Sequence, residues 1–409
     1  MYTILSSRLK GMKEEMRDFL VKLVETPSPS GQEEKIADII FEEMNMLGFD
    51  KVCRDNAGNV TGVVYGIEDG PTVMLNSHID TVPVPENAAN WDTPPLKASF
   101  SGTRLQGLGA ADCKGGLAAQ IYAVELLKRS LLPLKGNIIV AATVSEENGC
   151  SVGVKSLMRE TLPSLELNPD YVILGEPTDL GVYYGHNGRV ELDIKIEGNN
   201  PFMVDDSAKN ICKGLGRGRE DGKLADANGI SFKAPEFGSA HGKRQASICL
   251  EKKLYCGEQV EAVTEWFKHE AGLLLSSEKA LALEVQVAQD ERVSHSGKRT
   301  LVKRLSSAWQ TDPFDPLMER SRQSLAAAGC KVKTGKWKLD QPGMGTAGGV
   351  ICNEFNIPVI GYGPGEEEQA HKPNESLDME KVYECAFGTA AIAHGLVGIP
   401  VFGWTSDEI

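Results

Sequence analysis

The chain has 409 residues, 41% hydrophobic and 24% charged, with a formal net charge of −14 at pH 7. That length exceeds what one hydrophobic core usually serves, so two domains are expected. The acidic balance argues against a nucleic-acid partner or an anionic membrane, each of which favours a basic face, and no stretch approaches the ~20 apolar residues of a membrane span.

The start, "MYTILSSRLKGMKEEMRDFL", lacks a long apolar segment and a small-residue cleavage site, so a soluble cytoplasmic protein is expected. Nine cysteines (53, 113, 150, 212, 249, 256, 330, 352 and 385) are scattered without a C-x-x-C pair. They read as reduced, mostly buried thiols rather than a disulfide framework or a structural zinc site.

"SGQEEKIADIIFEEMNMLGF" opens with a capping-box pattern, Ser30 to Glu33, and carries Ile36, Ile39, Ile40, Met44 and Leu47 at helical spacing. Apolar runs at 60–65, 72–75, 138–144 and 171–174 predict strands, with helices over 117–130 and near 152–160 between them. Near-continuous apolar strands alternating with helices predict an α/β fold, a mixed sheet with helices on both faces. From Arg189 the pattern changes. "RVELDIKIEG" alternates strictly, setting Val190, Leu192, Ile194 and Ile196 against Glu191, Asp193, Lys195 and Glu197, as a half-exposed antiparallel strand does. Strands over 247–255 and 281–287 with a helix over 260–272 complete an α+β, ferredoxin-like βαββαβ unit. The first pattern resumes with a helix near 316–328, a strand over 357–363 and a helix over 378–396. The expected organisation is therefore one domain from 1–187 and 305–409, interrupted by an inserted domain over 188–304. "KGLGRGREDGK" (213–223) reads as a flexible connection, and no internal repeat is visible.

Five polar clusters follow the strands of the first domain or lie in loops beside them. They are His78 with Asp80, ahead of Pro83 and Pro85; Asp112 in "GLGAADCKGG"; Glu146 and Glu147 in "VSEENG"; Glu176 in "ILGEPT"; and His371 in "GPGEEEQAHKPNE". An isolated H-x-D is ordinarily a polar turn, and a lone carboxylate at a strand end is ordinarily solvated. All of them bordering one sheet is a different matter, because strand carboxyl ends line the ligand crevice of an α/β sheet. Imidazole and carboxylate are zinc ligands, and catalytic zinc sites keep a position open for water. Two ions ~3.5–4 Å apart need a bridging ligand and neutralising carboxylates. Two histidines and three carboxylates could supply these, leaving a glutamate free as base. Asp80 would accept the second ring N–H of His78 and fix its tautomer.

Together "SHIDTV", "GLGAADCKGG", "SEENG", "LGEPTD" and "GYGPGEEEQAHKPNE" resemble the family of acetylornithine deacetylase, succinyl-diaminopimelate desuccinylase, aminoacylase and carboxypeptidase G, in the flavour of a hydrolase branch linked to selenium metabolism. The resemblance covers the first 190 residues and roughly 310–395. It implies a zinc-peptidase-like catalytic domain with a lid that makes a homodimer, and cleavage of an amide bond in a small N-acyl amino acid or short peptide. It also implies that His78 and Glu176 hold one divalent metal, Glu147 and His371 the other, and Asp112 both. Zinc is the first expectation, with cobalt or manganese as alternatives. Glu146 would be the general base that takes the proton of the attacking water and passes it to the leaving amine. A cis peptide is implied at Asp112–Cys113.

The inserted domain departs from the family. There a "CH-x-S-x-P"-like segment supplies a histidine that stabilises the oxyanion in the partner's site. Here the corresponding "EGNNPFMVDDSAKN" has Pro201 and Phe202, and no histidine lies between 187 and 240. Losing an oxyanion donor typically costs ~10²–10³ in turnover. His241 and His295 are candidates to replace it, though each reads better as a surface histidine. A "DRR" segment becomes "EKK" (Glu251–Lys253), and the substrate loop reads "LDQPGMGTAGG" (339–349). The alternative function is accordingly a catalytically impaired member that binds metal without turnover.

Other motifs are set aside. "GCSVG" (149–153) matches a nucleophile elbow, but "SEEN" separates it from the strand, so Ser151 reads as a helix cap. "GMGTAG" (343–348) follows a polar stretch rather than an apolar strand, against a dinucleotide site. Val382, Cys385, Ala386 and Ala390 form a core stripe, and His394 reads as a satisfied core or helix-end histidine.

Overall fold

The computed structural model describes residues 1–84, 90–148, 151–215, 229–275, 280–293, 299–338 and 345–400. Pro85, Cys150, His295, residues 216–223 of the glycine-rich connection and residues 339–344 of the substrate loop lie outside them.

The apolar runs become the strands of a mixed sheet. Its order is Lys51–Arg54, Val60–Val64, Asn137–Thr143, Thr72–His78, Tyr171–Leu174, Val359–Gly361, Val182–His186 and Trp309–Gln310, with Thr334–Trp337 also paired to Val182–His186. Successive side chains alternate between two apolar cores, as a pleated strand requires. Val73 and Leu75 face helices Lys13–Glu25, Gly115–Arg129 and Met379–Val397, while Met74 faces the side of Val154, Leu162 and Ile351. Both faces are thus covered, as expected of an α/β sheet. The stripe of Val382, Cys385, Ala386 and Ala390 is fully buried.

Register puts the strand ends together. Thr72–His78 runs parallel to both neighbours, pairing His78 with Thr143 and Asn76 with Leu174, and Gly361 pairs with Leu174 in the next parallel strand. The segments after positions 78, 143, 174 and 361 therefore leave the sheet at one edge.

The strictly alternating segment forms Gly188–Gly198, buried at every second residue. It is central in a second sheet ordered Ile230–Phe232, Lys243–Leu254, Gly188–Gly198 and Leu281–Val287. Helix Pro201–Leu215 joins the first of these strands in sequence to the second, and helix Val260–Leu273 the third to the fourth. This antiparallel split-βαβ arrangement is the ferredoxin-like pattern. Its core is separate, with Val190, Leu192, Ile194 and Ile196 under Val204, Ala208, Ile211 and Phe267.

Several expectations are corrected. The helix after the capping-box pattern starts at Glu34 with no side-chain cap; Ser30 and Glu33 bond elsewhere, as shown below. Ser151 does precede helix Val152–Ser156, but in a left-handed conformation and without a capping bond. His394 is buried, yet its Nε2 has no hydrogen-bond partner. A three-stranded sheet, Ser99–Ser101, Arg104–Gln106 and Ser376–Asp378, was not anticipated. Among the described residues no helix is long and apolar enough to cross a membrane.

Candidate metal centre

His78 ends its strand fully buried, and one ring nitrogen is committed by geometry. Nδ1 lies 2.9 Å from the backbone carbonyl of Asp80. A carbonyl only accepts, so Nδ1 carries the proton and Nε2 is the nitrogen left for a ligand. This revises the role expected of Asp80, whose carboxylate is 3.7 Å from Nδ1. That carboxylate instead accepts from the backbone N–H of Glu146 and of Glu147, each at 3.0 Å, and from the Ser30 hydroxyl at 2.6 Å. Asp80 thus holds the turn that presents both glutamates. Glu33 holds the residue before it, its Oε1 accepting from Ser145 N at 3.0 Å, and Ser145 sits at φ 57°, in the left-handed region.

Asp112 arrives from a different direction, on the loop into helix Gly115–Arg129. Its backbone is clamped by Glu375, whose carboxylate accepts from Gly109 N (2.7 Å), Ala111 N (2.7 Å) and Asp112 N (3.0 Å). The buried Lys114 ammonium ties the same loop to the carbonyls of Leu23 and Thr26. The Asp112–Cys113 peptide is cis, as the resemblance implied. The helix then approaches so closely that a Cβ on Gly116 would lie 1.8 Å from the Gly175 carbonyl oxygen, which seats Asp112 beside Glu176.

The carboxylate of Asp112 faces two ways. Oδ1 is 3.1 Å from His78 Nε2 and Oδ2 is 3.6 Å from His371 Nε2. Glu176 Oε2 lies 3.8 Å from His78 Nε2, and Glu147 Oε2 lies 2.8 Å from His371 Nε2. His371 itself adopts φ 58°. The structure brings all seven expected residues to one end of the sheet. A recess of about 10 Å³, room for about one water, is lined by Asp112, Glu146, Glu147, Glu176 and His371. Beside it opens a cleft of about 590 Å³ whose lining includes Glu146, Glu147, Arg189, Leu301 and Arg304.

Electrostatics say what the cluster wants. Burial, reinforced by Asp112, Glu146 and Glu147, pushes Glu176 well above the usual carboxylate range against the pull of His78. Burial likewise pushes Glu146 up to about 8, with His78 opposing and Glu147, Asp80 and Asp112 adding to it. Burial works to lower both histidines, but carboxylates prevail: Glu176, Cys113 and Asp112 hold His78 well above its ordinary value, and Glu147 and Asp112 hold His371 at about 9. Five carboxylates face two imidazoles, a set short of positive charge. Its nitrogen and oxygen donors fit divalent cations. His78, Asp112 and Glu147 converge as one ligand group, and His78, Cys113 and Glu176 as another. Cys113 was not anticipated as a donor. Nor were Ser30, Glu33, Lys114 and Glu375 as supports, because each acts on a residue far from it in sequence or through the packed fold. Among the lid candidates, His241 occupies an exposed turn after strand Glu236–Ala240, at φ 49°. Glu251 is paired with Arg189 and Lys252 with Glu258.

Known proteins agree in sequence and in fold. The chain is 28% identical over 409 residues to the uncharacterized protein YgeY of Escherichia coli (strain K12), covering 96% of each. It is 36% identical over 374 residues to a putative [LysW]-lysine/[LysW]-ornithine hydrolase of Pyrococcus abyssi, covering 90% of each. It is 28% identical over 373 residues to the [LysW]-lysine hydrolase of Deinococcus radiodurans, covering 89% of this chain and 92% of that one. Its fold is shared with aminopeptidase PepT from Bacillus cereus (TM-score 0.72, 20% identity, 94% and 98% covered). It is also shared with Bacillus subtilis YXEP, a dinuclear metal-binding peptidase (TM-score 0.69, 18% identity, 94% and 98% covered). Residues 74–394 match the model of peptidase family M20/M25/M40, and the chain is a member of that hydrolase family.

Proposed function

We propose that the protein hydrolyses an amide bond of a small N-acyl amino acid, amino-acid conjugate or short peptide at a centre holding two divalent metal ions. The observation that carries this is Asp112, with one carboxylate oxygen towards each histidine and Glu146 beside it on the same recess. His78 and Glu176 would hold one ion, His371 and Glu147 the other, and Asp112 both. Zinc suits this donor set, and cobalt or manganese would fit it too. When bound, such ions polarise a carbonyl and make water acidic near neutral pH.

The chain's own residues do the rest. Asp80 orients Glu146 through the backbone bonds described above. Glu146 takes the proton of the attacking water and returns it to the leaving nitrogen as the C–N bond breaks. Its carboxyl is held up by burial, and bound cations act in the opposite direction, towards the carboxylate a base needs. The names of the relatives support an amino-acid conjugate or peptide as substrate, and a cleft of about 590 Å³ is of a size for small ligands.

Residues 1–187 and 305–409 would form the metal-binding domain, and 188–304 the lid, consistent with their separate apolar cores. Strand Leu281–Val287 closes one end of the second sheet, and a second copy pairing there would give the homodimer, which light scattering on the purified protein would detect. Glu146→Gln should keep about two metals per chain and lose hydrolysis by about 10²–10⁴-fold. Undiminished activity in that variant would remove Glu146 from the mechanism. The rival, a metal binder without turnover, draws on helix Pro201–Leu215, which carries an exposed Phe202 where the family supplies a histidine. Turnover by the wild type would dismiss it.

A further inference from the structure

Strand Val182–His186 ends beside Thr346, and its last residue is a histidine outside the metal centre. His186 is buried, with Nδ1 2.8 Å from the carbonyl of Asn187 and Nε2 3.0 Å from the hydroxyl of Thr346. The carbonyl can only accept, so Nδ1 bears the proton and Nε2 of the neutral ring is an acceptor. Burial keeps the ring neutral, pushing it down to about 4. The Thr346 hydroxyl must then donate to His186. It also receives a bond from the other side, since Trp309 Nε1, a pure donor, lies 3.0 Å from the same oxygen.

The arrangement is rigid. Trp309 pairs with His186 across the sheet, and their rings meet edge to face with centroids 5.7 Å apart. A Cβ on Gly348 would lie 2.3 Å from the Trp309 ring, and one on Gly345 would lie 2.3 Å from Ser306 Oγ. Glycines there let the loop settle onto its support. Thr346 itself borders both the recess of Glu146 and Asp112 and the larger cleft. A hydroxyl has one proton and two acceptor positions. With the proton given to His186 and one lone pair taken by Trp309, what remains is a single lone pair.

We infer that Thr346 is a substrate-contacting residue that accepts the N–H of the scissile amide, and that His186 and Trp309 are positioning residues that fix its hydroxyl as an acceptor. The inference rests on the hydrolytic reading above and adds a selectivity to it. As the amide nitrogen becomes an amine, an N–H held by Thr346 turns the nitrogen's new lone pair towards the proton carried by Glu146. A substrate whose scissile nitrogen bears no hydrogen cannot make this bond.

The test is a cycle of two changes, one in the enzyme and one in the substrate. The metal-loaded wild type, Thr346→Val, Thr346→Ser and His186→Phe are assayed on Ala-Gly and N-acetylglycine, and on the matching compounds with sarcosine in place of glycine. Thermal melting checks that each variant folds. T346V should lose about 10-fold in kcat/KM on the N–H substrate, and T346S should recover most of it. N-methylation should cost about 10-fold less in T346V and H186F than in the wild type, because the bond it removes is already gone. A purely structural role would lower both substrates alike, so an equal cost of methylation in all four proteins overturns the inference. The ¹⁵N shifts of His186 give an independent reading that needs no turnover. An Nδ1–H tautomer from pH 6 to 8 is expected, and an Nε2–H tautomer overturns the assignment even if the protein cleaves none of these compounds, an outcome that would count separately against the hydrolytic reading.

Discussion

Four buried or part-buried histidines divide into two pairs that meet opposite fates. His78 and His371, at the sheet's carboxyl edge, are pushed up by surrounding carboxylates, His371 to about 9. His186 and His394, in the interior, are pushed down to about 4, in each case chiefly by burial. Burial opposes the charged ring in all four. The difference comes from the neighbours: Asp112, Glu147 and Glu176 at the edge, tryptophans and a threonine around His186. Depth in the protein therefore does not mark a candidate metal-ligating histidine. An uncompensated carboxylate set around it does, because that set calls for cations.

The largest effects should come from breaking the edge pair. His78→Ala and His371→Ala each remove a nitrogen donor while leaving the carboxylates, so bound metal should fall below two per chain by elemental analysis, and activity with it. His186→Phe, by contrast, should leave metal content unchanged. Equal metal loss in all three would erase the distinction. Next in size is Asp80→Asn. One amide oxygen can still accept from one of the Glu146 and Glu147 N–H groups, but the other bond is lost and the turn loosens. Loss of such a supporting partner typically costs about 10–100-fold in activity or metal affinity, read as kcat/KM beside metal content.

Much of the edge was legible from sequence because it is built by short-range rules. Apolar runs give strands, parallel strands end together, and the polar residues that follow them meet. Ser30 and Glu33 show where such rules stop. Their spacing is that of a capping box, yet Ser30 bonds Asp80, fifty positions away, and Glu33 bonds Ser145. The same hydroxyl and carboxylate serve a local or a distant N–H equally well, and only the packed fold decides between them. Glu375 was invisible as the clamp of the Asp112 loop for the same reason, since 263 positions separate it from Asp112. The second sheet was readable as a fold from its alternation, but its chemistry was not. Glu251 and Lys252 find ion partners within that region, and no strand-end rule points from them to a substrate.

Ser30→Ala isolates one such distant bond. Asp80 keeps its two backbone donors and loses a hydroxyl, a net loss of about 1 kcal/mol, so kcat/KM should fall by about five-fold with metal content unchanged. Loss of metal in this variant would mean that Ser30 supports the ligands themselves rather than the glutamate turn.

The remaining effect belongs to the interior pair and reads stability alone. His394 sits in the last turn of helix Met379–Val397 with Nε2 unpartnered, and burial, then the charge of the N-terminus, hold its ring at about 4 rather than 6.5. In the unfolded chain the ring takes up a proton below about pH 6.5, while in the folded protein it does not until about pH 4. The unfolded state therefore binds more protons in that window. Stability is undiminished by this group above pH 6.5, falls as the pH drops below it, and stops falling near pH 4. The two pKa values correspond to about 2 kcal/mol lost at pH 5 relative to pH 8. His394→Leu removes the titration, so urea unfolding at the two pH values should show a decline smaller by about that amount than in the wild type. An unchanged decline would mean that the folded ring takes its proton as readily as the free one, and that burial does not hold His394 neutral.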